Sequence, residues 1–191
     1  MKLLFLRPFS KYDTNYLITN LSNKYEIILP KKYSHKELES LIGDVDVCIG
    51  NQLSDSLLNK GVNIKLFQNL GAGVDKLDLS SFKNRNIIIG NSHTNAKYVA
   101  EYAISLMFSI IKKTHHHDRL MRSGKWFKPS GSKNDENYLS DTIIGKRIGI
   151  IGFGNIGKNI VKMLSGFDNN FFVFNSNIKK INKKNNQIKN I

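Results

Sequence analysis

Apolar residues in this chain come in short bursts. KLLFLRP (2–8), EIILP (26–30), VDVCIG (45–50), IKLFQNLG (64–71) and NIIIG (86–90) each have the length of a buried strand. Polar segments separate them. Two of these, SHKELESLIG (34–43) and SDSLLNKG (54–61), open on Ser and close on Gly. Ser is a good helix N-cap, Glu37 stands at capping-box spacing from Ser34, and Gly43 and Gly61 suit helix C-caps. Strands alternating with helices predict βαβ units and a parallel sheet.

The pattern changes at residue 95. From there to 123, Val99, Tyr102, Ala103, Leu106, Met107 and Ile110 recur at i, i+3, i+4 spacing. This predicts one long helix, about 40 Å from end to end at ~1.5 Å per residue, with a single apolar face. Residues 128–142, KPSGSKNDENYLSDT, read as a loop. Alternation then resumes, with KRIGIIG (146–152) as a strand, a helix from Asn155 to Gly166 and NFFVFN (170–175) as the next strand. Residues 179–191, KKINKKNNQIKNI, show no period and read as a solvated tail.

Composition narrows the class. The 191 residues are 40% apolar and 23% charged, enough for a packed core in one or two domains. No apolar run approaches the roughly 18–20 residues of a membrane span. Arg7 and Pro8 interrupt the first apolar stretch, so it reads as a strand and not as a signal peptide. The single cysteine, Cys48, has no partner for an internal disulfide and sits in an apolar run, which predicts a buried small residue and a cytoplasmic protein. The net charge is +14; the tail holds five Lys and no acid, and taking those five away leaves +9. No Arg/Lys stripe interleaves with aromatics in the remainder. The excess reads as Lys on solvated faces, and neither a nucleic-acid nor a membrane partner is expected.

One stretch carries chemistry. IGIIGFGNIG (148–157) places three glycines as Gly152-x-Gly154-x-x-Gly157 between a strand and a helix. Gly152 permits a tight turn, Gly154 lets backbone approach a pyrophosphate, and Gly157 lets the helix pack close to the strand. The amides of Asn155 and Ile156 would face the phosphates at the positive end of the helix. An acid often stands about 20 residues on, where it bonds the adenosine ribose. Here that position is Asn175, an amide, followed by Ser176, Lys179 and Lys180. Hydroxyl and cations there could hold a 2′-phosphate, so NADP is weighed beside NAD.

The order of motifs resembles the D-isomer-specific 2-hydroxyacid dehydrogenases, of phosphoglycerate and glyoxylate/hydroxypyruvate type. NLGAGVDKLDL (69–79) resembles the family's G-x-G-x-D loop. NSHTNAKYVAEYAISLMFSIIKK (91–113) resembles its N-x-x-x-N…VAE helix, RSGKW (122–126) its R-x-G-x-W end, and GKRIGIIGFGNIGKNI (145–160) its cofactor turn. The resemblance implies an α/β chain of two lobes. A flavodoxin-like substrate lobe spans 1–93, and a linker helix with the first βαβ part of a Rossmann NAD(P)-binding domain spans 94–191. It implies that Gly71, Ala72 and Gly73 turn amides toward a substrate carboxylate, that Val99 lies near the nicotinamide, and that Glu101 is a helix residue without an acid–base role. It also implies homodimerisation through the long helix and residues 124–142.

The family's reaction moves a hydride between the nicotinamide and a 2-hydroxy or 2-keto acid, using an Arg, a Glu and a His that lie beyond the glycine turn. In this chain the last Arg is Arg147, the last His is His117 and the last Glu is Glu136. No catalytic residue is therefore assigned. His115, His116 and His117 would project about 100° apart on a helix and cannot converge. No metal site is expected, and His93 reads as structural or as an accessory substrate contact. The expectation is a C-terminally truncated dehydrogenase, inactive alone and poorly soluble, with a non-catalytic nucleotide-sensing or partner-binding module and one half of a split enzyme as alternatives.

Overall fold

The computed structural model describes residues 1–126, 139–176 and 188–190. It divides into two compact units, Met1–His93 and Thr94–Ile191.

The first unit is a five-stranded parallel sheet of β1 (Lys2–Phe5), β2 (Glu26–Ile28), β3 (Val47–Gly50), β4 (Leu66–Asn69) and β5 (Ile88–Gly90), in the order β2-β1-β3-β4-β5. That order is the flavodoxin-like doubly wound arrangement. Leu4, Cys48 and Phe67 lie in register on neighbouring strands and none is exposed. Leu3, Phe5 and Val47 are buried as well, so β1 and β3 are covered on both faces, as parallel strands require. Helices α1 (Lys11–Leu21), α2 (His35–Leu41), α3 (Asp55–Lys60) and α4 (Leu79–Asn84) connect the strands. Phe82 of α4 packs on Phe67 with ring centroids 5.4 Å apart. Burying such a ring stabilises by about 1.5–3 kcal/mol.

The caps explain where the helices begin. Ser34 and Ser54 accept the amides of Glu37 and Leu57 at 3.3 and 3.4 Å. The capping box on α2 is only half built, because the Glu37 carboxylate takes the amides of Lys31 and Lys32, each at 2.8 Å. Gly61 caps α3 by donating to the Leu57 carbonyl. Gly43 is not a C-cap: α2 stops at Leu41, and Gly43 sits inside a 3-10 turn, Ile42–Asp44. Helices α1 and α4 carry no clear apolar period; α1 buries none of its residues. Each starts from a side-chain cap, Ser10 on the Asp13 amide and Asp78 on the amides of Ser80 and Ser81.

In the second unit, α5 (Ala96–Ile111), α6 (Thr114–Arg122) and α7 (Asn155–Leu164) accompany a parallel sheet of β6 (Arg147–Ile151), β7 (Asn170–Phe174) and β8 (Ile188–Asn190). Three expectations need correction. The single long helix is two, because Lys113 is left-handed at φ 49° and ψ 33°. The Asp141 amide donates to the freed Ile111 carbonyl at 3.1 Å, and Lys112 Nζ donates to the Asp141 carbonyl at 2.7 Å. The packed face of α5 is also not the one expected. Ala96 and Ala100 are buried, and Ile104, Met107, Phe108 and Ile111 join the core of Ile150, Val161, Leu164, Phe171 and Val173. Tyr102, Leu106 and Ile110 are exposed, so α5 has a second apolar face turned outward. Last, the tail is not wholly without structure: Ile188 pairs with Phe171 and extends the sheet to a third strand. Residues 127–138 of the expected loop, and Lys179 and Lys180, lie outside the described residues. No helix among the described residues is long and apolar enough to cross a membrane.

Burial pushes the Cys48 thiol up to about 12. The native protein is expected to react with a thiol reagent only very slowly near pH 8, and the urea-unfolded chain rapidly; fast labelling of the folded chain contradicts the packing described. The Ser80 and Ser81 hydroxyls, with their amides, lower Asp78 from 3.8 to about 2. The folded state thus favours the carboxylate, and the contribution is present above pH 4 and lost as pH falls toward 2. Asp78→Ala is expected to lower the Tm at neutral pH, and the two melting curves should converge across that acid window.

Candidate functional site

The glycine turn is built by the strand before it and the helix after it. Gly152 stands at φ 90°, a conformation that L side chains rarely adopt. Its amide donates to the Phe174 carbonyl at 2.8 Å, and buried Phe153 anchors the turn from below. A Cβ on Gly157 would lie 2.6 Å from the Gly152 carbonyl oxygen and 3.2 Å from Ile150 Cγ2. Only a residue without a side chain lets α7 start this close to the strand. Around Gly152 and Gly154, by contrast, a Cβ would meet nothing within 4 Å. The space above the turn is open.

Gly154 is the N-cap of α7 and offers no side-chain cap. Lys158 is the first residue of the helix to find an intrahelical acceptor, the Gly154 carbonyl at 3.0 Å. The amides of Asn155, Ile156 and Gly157 have no acceptor among the described residues, and no acid stands in the first turn. Three unpaired donors at the positive end of a ten-residue helix, below open space, form an anion site by elementary electrostatics. The residues present therefore fit the pyrophosphate of a dinucleotide. Asn175 follows β7 beside the turn, where its Oδ1 accepts the Phe153 amide at 3.5 Å. Ser176 is exposed next to it, and Val99, on α5, is 41% exposed.

A second cluster lies in the first unit at the carboxyl ends of β1, β3, β4 and β5, where ligands of parallel sheets bind. Asn69 organises it. This residue is 3% exposed, and its Nδ2 donates to the Gly73 carbonyl at 2.7 Å. Its Oδ1 accepts the Gly71 amide at 3.3 Å, so that amide is partly committed inside the loop. Ser92 donates to the Gly71 carbonyl and Asn91 Nδ2 to the Ala72 carbonyl, at 3.2 and 2.8 Å. With their carbonyls held, the amides of Ala72 and Gly73 have no acceptor among the described residues. His93 stands 3.4 Å from Asn91 Nδ2. Asn51 stands beside the loop, its Nδ2 4.0 Å from where a Cβ on Gly71 would lie, and its Oδ1 accepts a 3.0 Å hydrogen bond from Arg7. Sequence reasoning assigned no role to Asn69, Arg7 or Asn51. Their signal was position: each is a polar residue at, or just past, the end of an apolar strand.

His115, His116 and His117 lie on α6, with the rings of His116 and His117 edge to face at 5.7 Å. Among the described residues no group of His, Cys, Asp or Glu could hold a metal ion.

Comparison with known proteins gives a family likeness. The family profile described as "D-isomer specific 2-hydroxyacid dehydrogenase, NAD binding domain" matches residues 104–190. The chain is 28% identical over 152 residues to the hydroxypyruvate reductase of Thermotoga maritima, covering 77% of this chain and 47% of that protein. It is 24% identical over 184 residues to the D-3-phosphoglycerate dehydrogenase of Archaeoglobus fulgidus, covering 94% of this chain and 33% of that protein. The chain thus spans about half or less of these curated relatives. In fold it resembles a solved 2-hydroxyacid dehydrogenase from Ketogulonicigenium vulgare, with TM-score 0.76 and 20% identity, over all of this chain and 58% of that one.

Gly157→Ala is expected to destabilise the second unit by about 1–3 kcal/mol, because the new methyl meets a backbone oxygen that cannot rotate away. Urea unfolding followed by circular dichroism measures it. An unchanged midpoint contradicts the close packing of α7 on the turn.

Proposed function

Since this chain belongs to the D-isomer-specific 2-hydroxyacid dehydrogenase family, we propose that its two clusters are the cofactor and substrate sites of an oxidoreductase acting on the CH–OH group of a small 2-hydroxy acid. The second unit is the NAD(P) domain. Gly152 and Gly154 admit the pyrophosphate, and the amides of Asn155, Ile156 and Gly157 hold it. Asn175 and Ser176 lie toward the adenosine ribose, and Val99 toward the nicotinamide. The first unit is the substrate domain, in which the loop at Gly71, Ala72 and Gly73 takes the carboxylate. The observation that carries this reading is the open, donor-lined N-terminus of α7 above Gly154.

When bound, the nicotinamide supplies the hydride. This chain's own residues bind and orient. The loop amides draw negative charge to the acid group of the substrate, and the helix amides neutralise the phosphates. Neither movement of a proton nor polarisation of the keto oxygen is assigned to a residue here, since no Arg follows Arg147, no His follows His117 and no Glu follows Glu136. For these 191 residues by themselves, the proposal is binding without turnover. The outward apolar face of α5, with Tyr102, Leu106 and Ile110, supports a homodimer, and the reading extends to a cytoplasmic protein.

Calorimetric titration tests the cofactor site. NADH or NADPH is expected to bind the wild-type chain, and Gly154→Val, whose side chain would enter the open space, is expected to abolish the heat while leaving the melting curve in place. Addition of glyoxylate or hydroxypyruvate should cause no NADH oxidation. Equal binding by both proteins would contradict the assignment.

A further inference from the structure

We propose that Arg7 is a specificity residue of the substrate cradle in the first unit, favouring acids that carry a second anionic group. The inference rests on the reading of the loop at Gly71–Gly73 as the carboxylate site.

Arg7 follows β1 by two residues. The chain there is still tied to β3, since the Leu6 amide donates to the Ile49 carbonyl at 2.8 Å. Gly50 makes the approach possible: a Cβ on it would lie 2.9 Å from Leu6 Cβ. The strand ends therefore carry Arg7 and Asn51 side by side. Arg7 Nη1 donates to Asn51 Oδ1 at 3.0 Å, and its guanidinium carbon lies 5.8 Å from the centre of the Phe9 ring. Two contacts orient a side chain that is otherwise exposed.

Asn51 links this cation to the loop. Its Oδ1 is taken by Arg7, and its Nδ2 lies 4.0 Å from the position a Cβ on Gly71 would occupy. Asn51 thus stands between the Gly71 end of the loop and the guanidinium. Arg7 makes no ion pair with a carboxylate among the described residues. The Asp75 carboxylate faces the other end of the loop, 3.1 Å from the Cβ position of Gly73. The Gly71 end, beside Asn51 and Arg7, is the more cationic one.

Charge sets the selectivity. A monoacid with its carboxylate on the loop amides offers the guanidinium no second anion. An acid with a second anionic group does, and the planar guanidinium fork suits oxygen anions. Asn51 acts as the positioning residue.

D-lactate and D-malate differ by that second carboxylate and serve as probes for the 191-residue chain, titrated by amide NMR at low ionic strength. Both are expected to shift the amides of residues 71–73, with D-malate binding roughly threefold to fivefold more tightly, the scale of an exposed ion pair. Arg7→Gln should equalise the two affinities, and Arg7→Lys should keep part of the preference. If both acids shift the loop but no preference exists, or the preference survives in Arg7→Gln, the assignment of Arg7 is overturned and the carboxylate reading stands. If neither acid shifts residues 71–73, the carboxylate reading fails and the inference falls with it.

Discussion

The carbonyl oxygen of Gly152 stands 2.6 Å from where a side chain on residue 157 would begin. That single steric constraint organises the second unit. It lets α7 start almost on top of β6, so the helix N-terminus lies at the turn and not a residue or two away. The first three amides of the helix are then left without carbonyl partners, under a glycine that opens space above them. Van der Waals exclusion at one atom becomes an electrostatic site a few ångströms away. The core below makes the geometry rigid, with Phe153, Ile150 and Val161 buried around the turn.

The first unit reaches a similar end by hydrogen bonding. Here a buried amide side chain, Asn69, ties down both ends of the Gly71–Gly73 loop. Asn91 and Ser92 hold the intervening carbonyls from the neighbouring strand end. The donors that remain are those of Ala72 and Gly73. In both units the groups proposed to face a ligand stand at the carboxyl ends of parallel strands, the end at which open parallel sheets bind ligands.

Much of this was legible in the sequence because it rests on local rules. Strand positions followed from short apolar runs, and the N-caps at Ser34 and Ser54 from one residue type each. The glycine turn was legible because its three positions answer separate steric demands. What escaped depended on the third dimension. The break at Lys113 is invisible to a 3.6-residue period, since the apolar pattern continues through α5 and the left-handed residue is a lysine. The buried face of α5 was misjudged because the helix is apolar on two sides, and the small Ala96 and Ala100 are buried while the larger Tyr102 and Ile110 are exposed. Helices α1 and α4 escaped because their caps, and not an apolar stripe, define them. Strand β8 escaped because Ile188, like Ile181 and Ile191, is an isolated apolar residue in a lysine- and asparagine-rich run. Asn69 and Arg7 acquire meaning only when β1, β3 and β4 are placed side by side.

The central claim is that the amides at the start of α7 hold a dinucleotide phosphate. The most direct measurement is an amide NMR titration of the 15N-labelled chain with NADH. The account predicts saturable shifts that are largest at Gly154, Asn155, Ile156 and Gly157. A well-dispersed spectrum in which millimolar NADH leaves those four amides unmoved would contradict it.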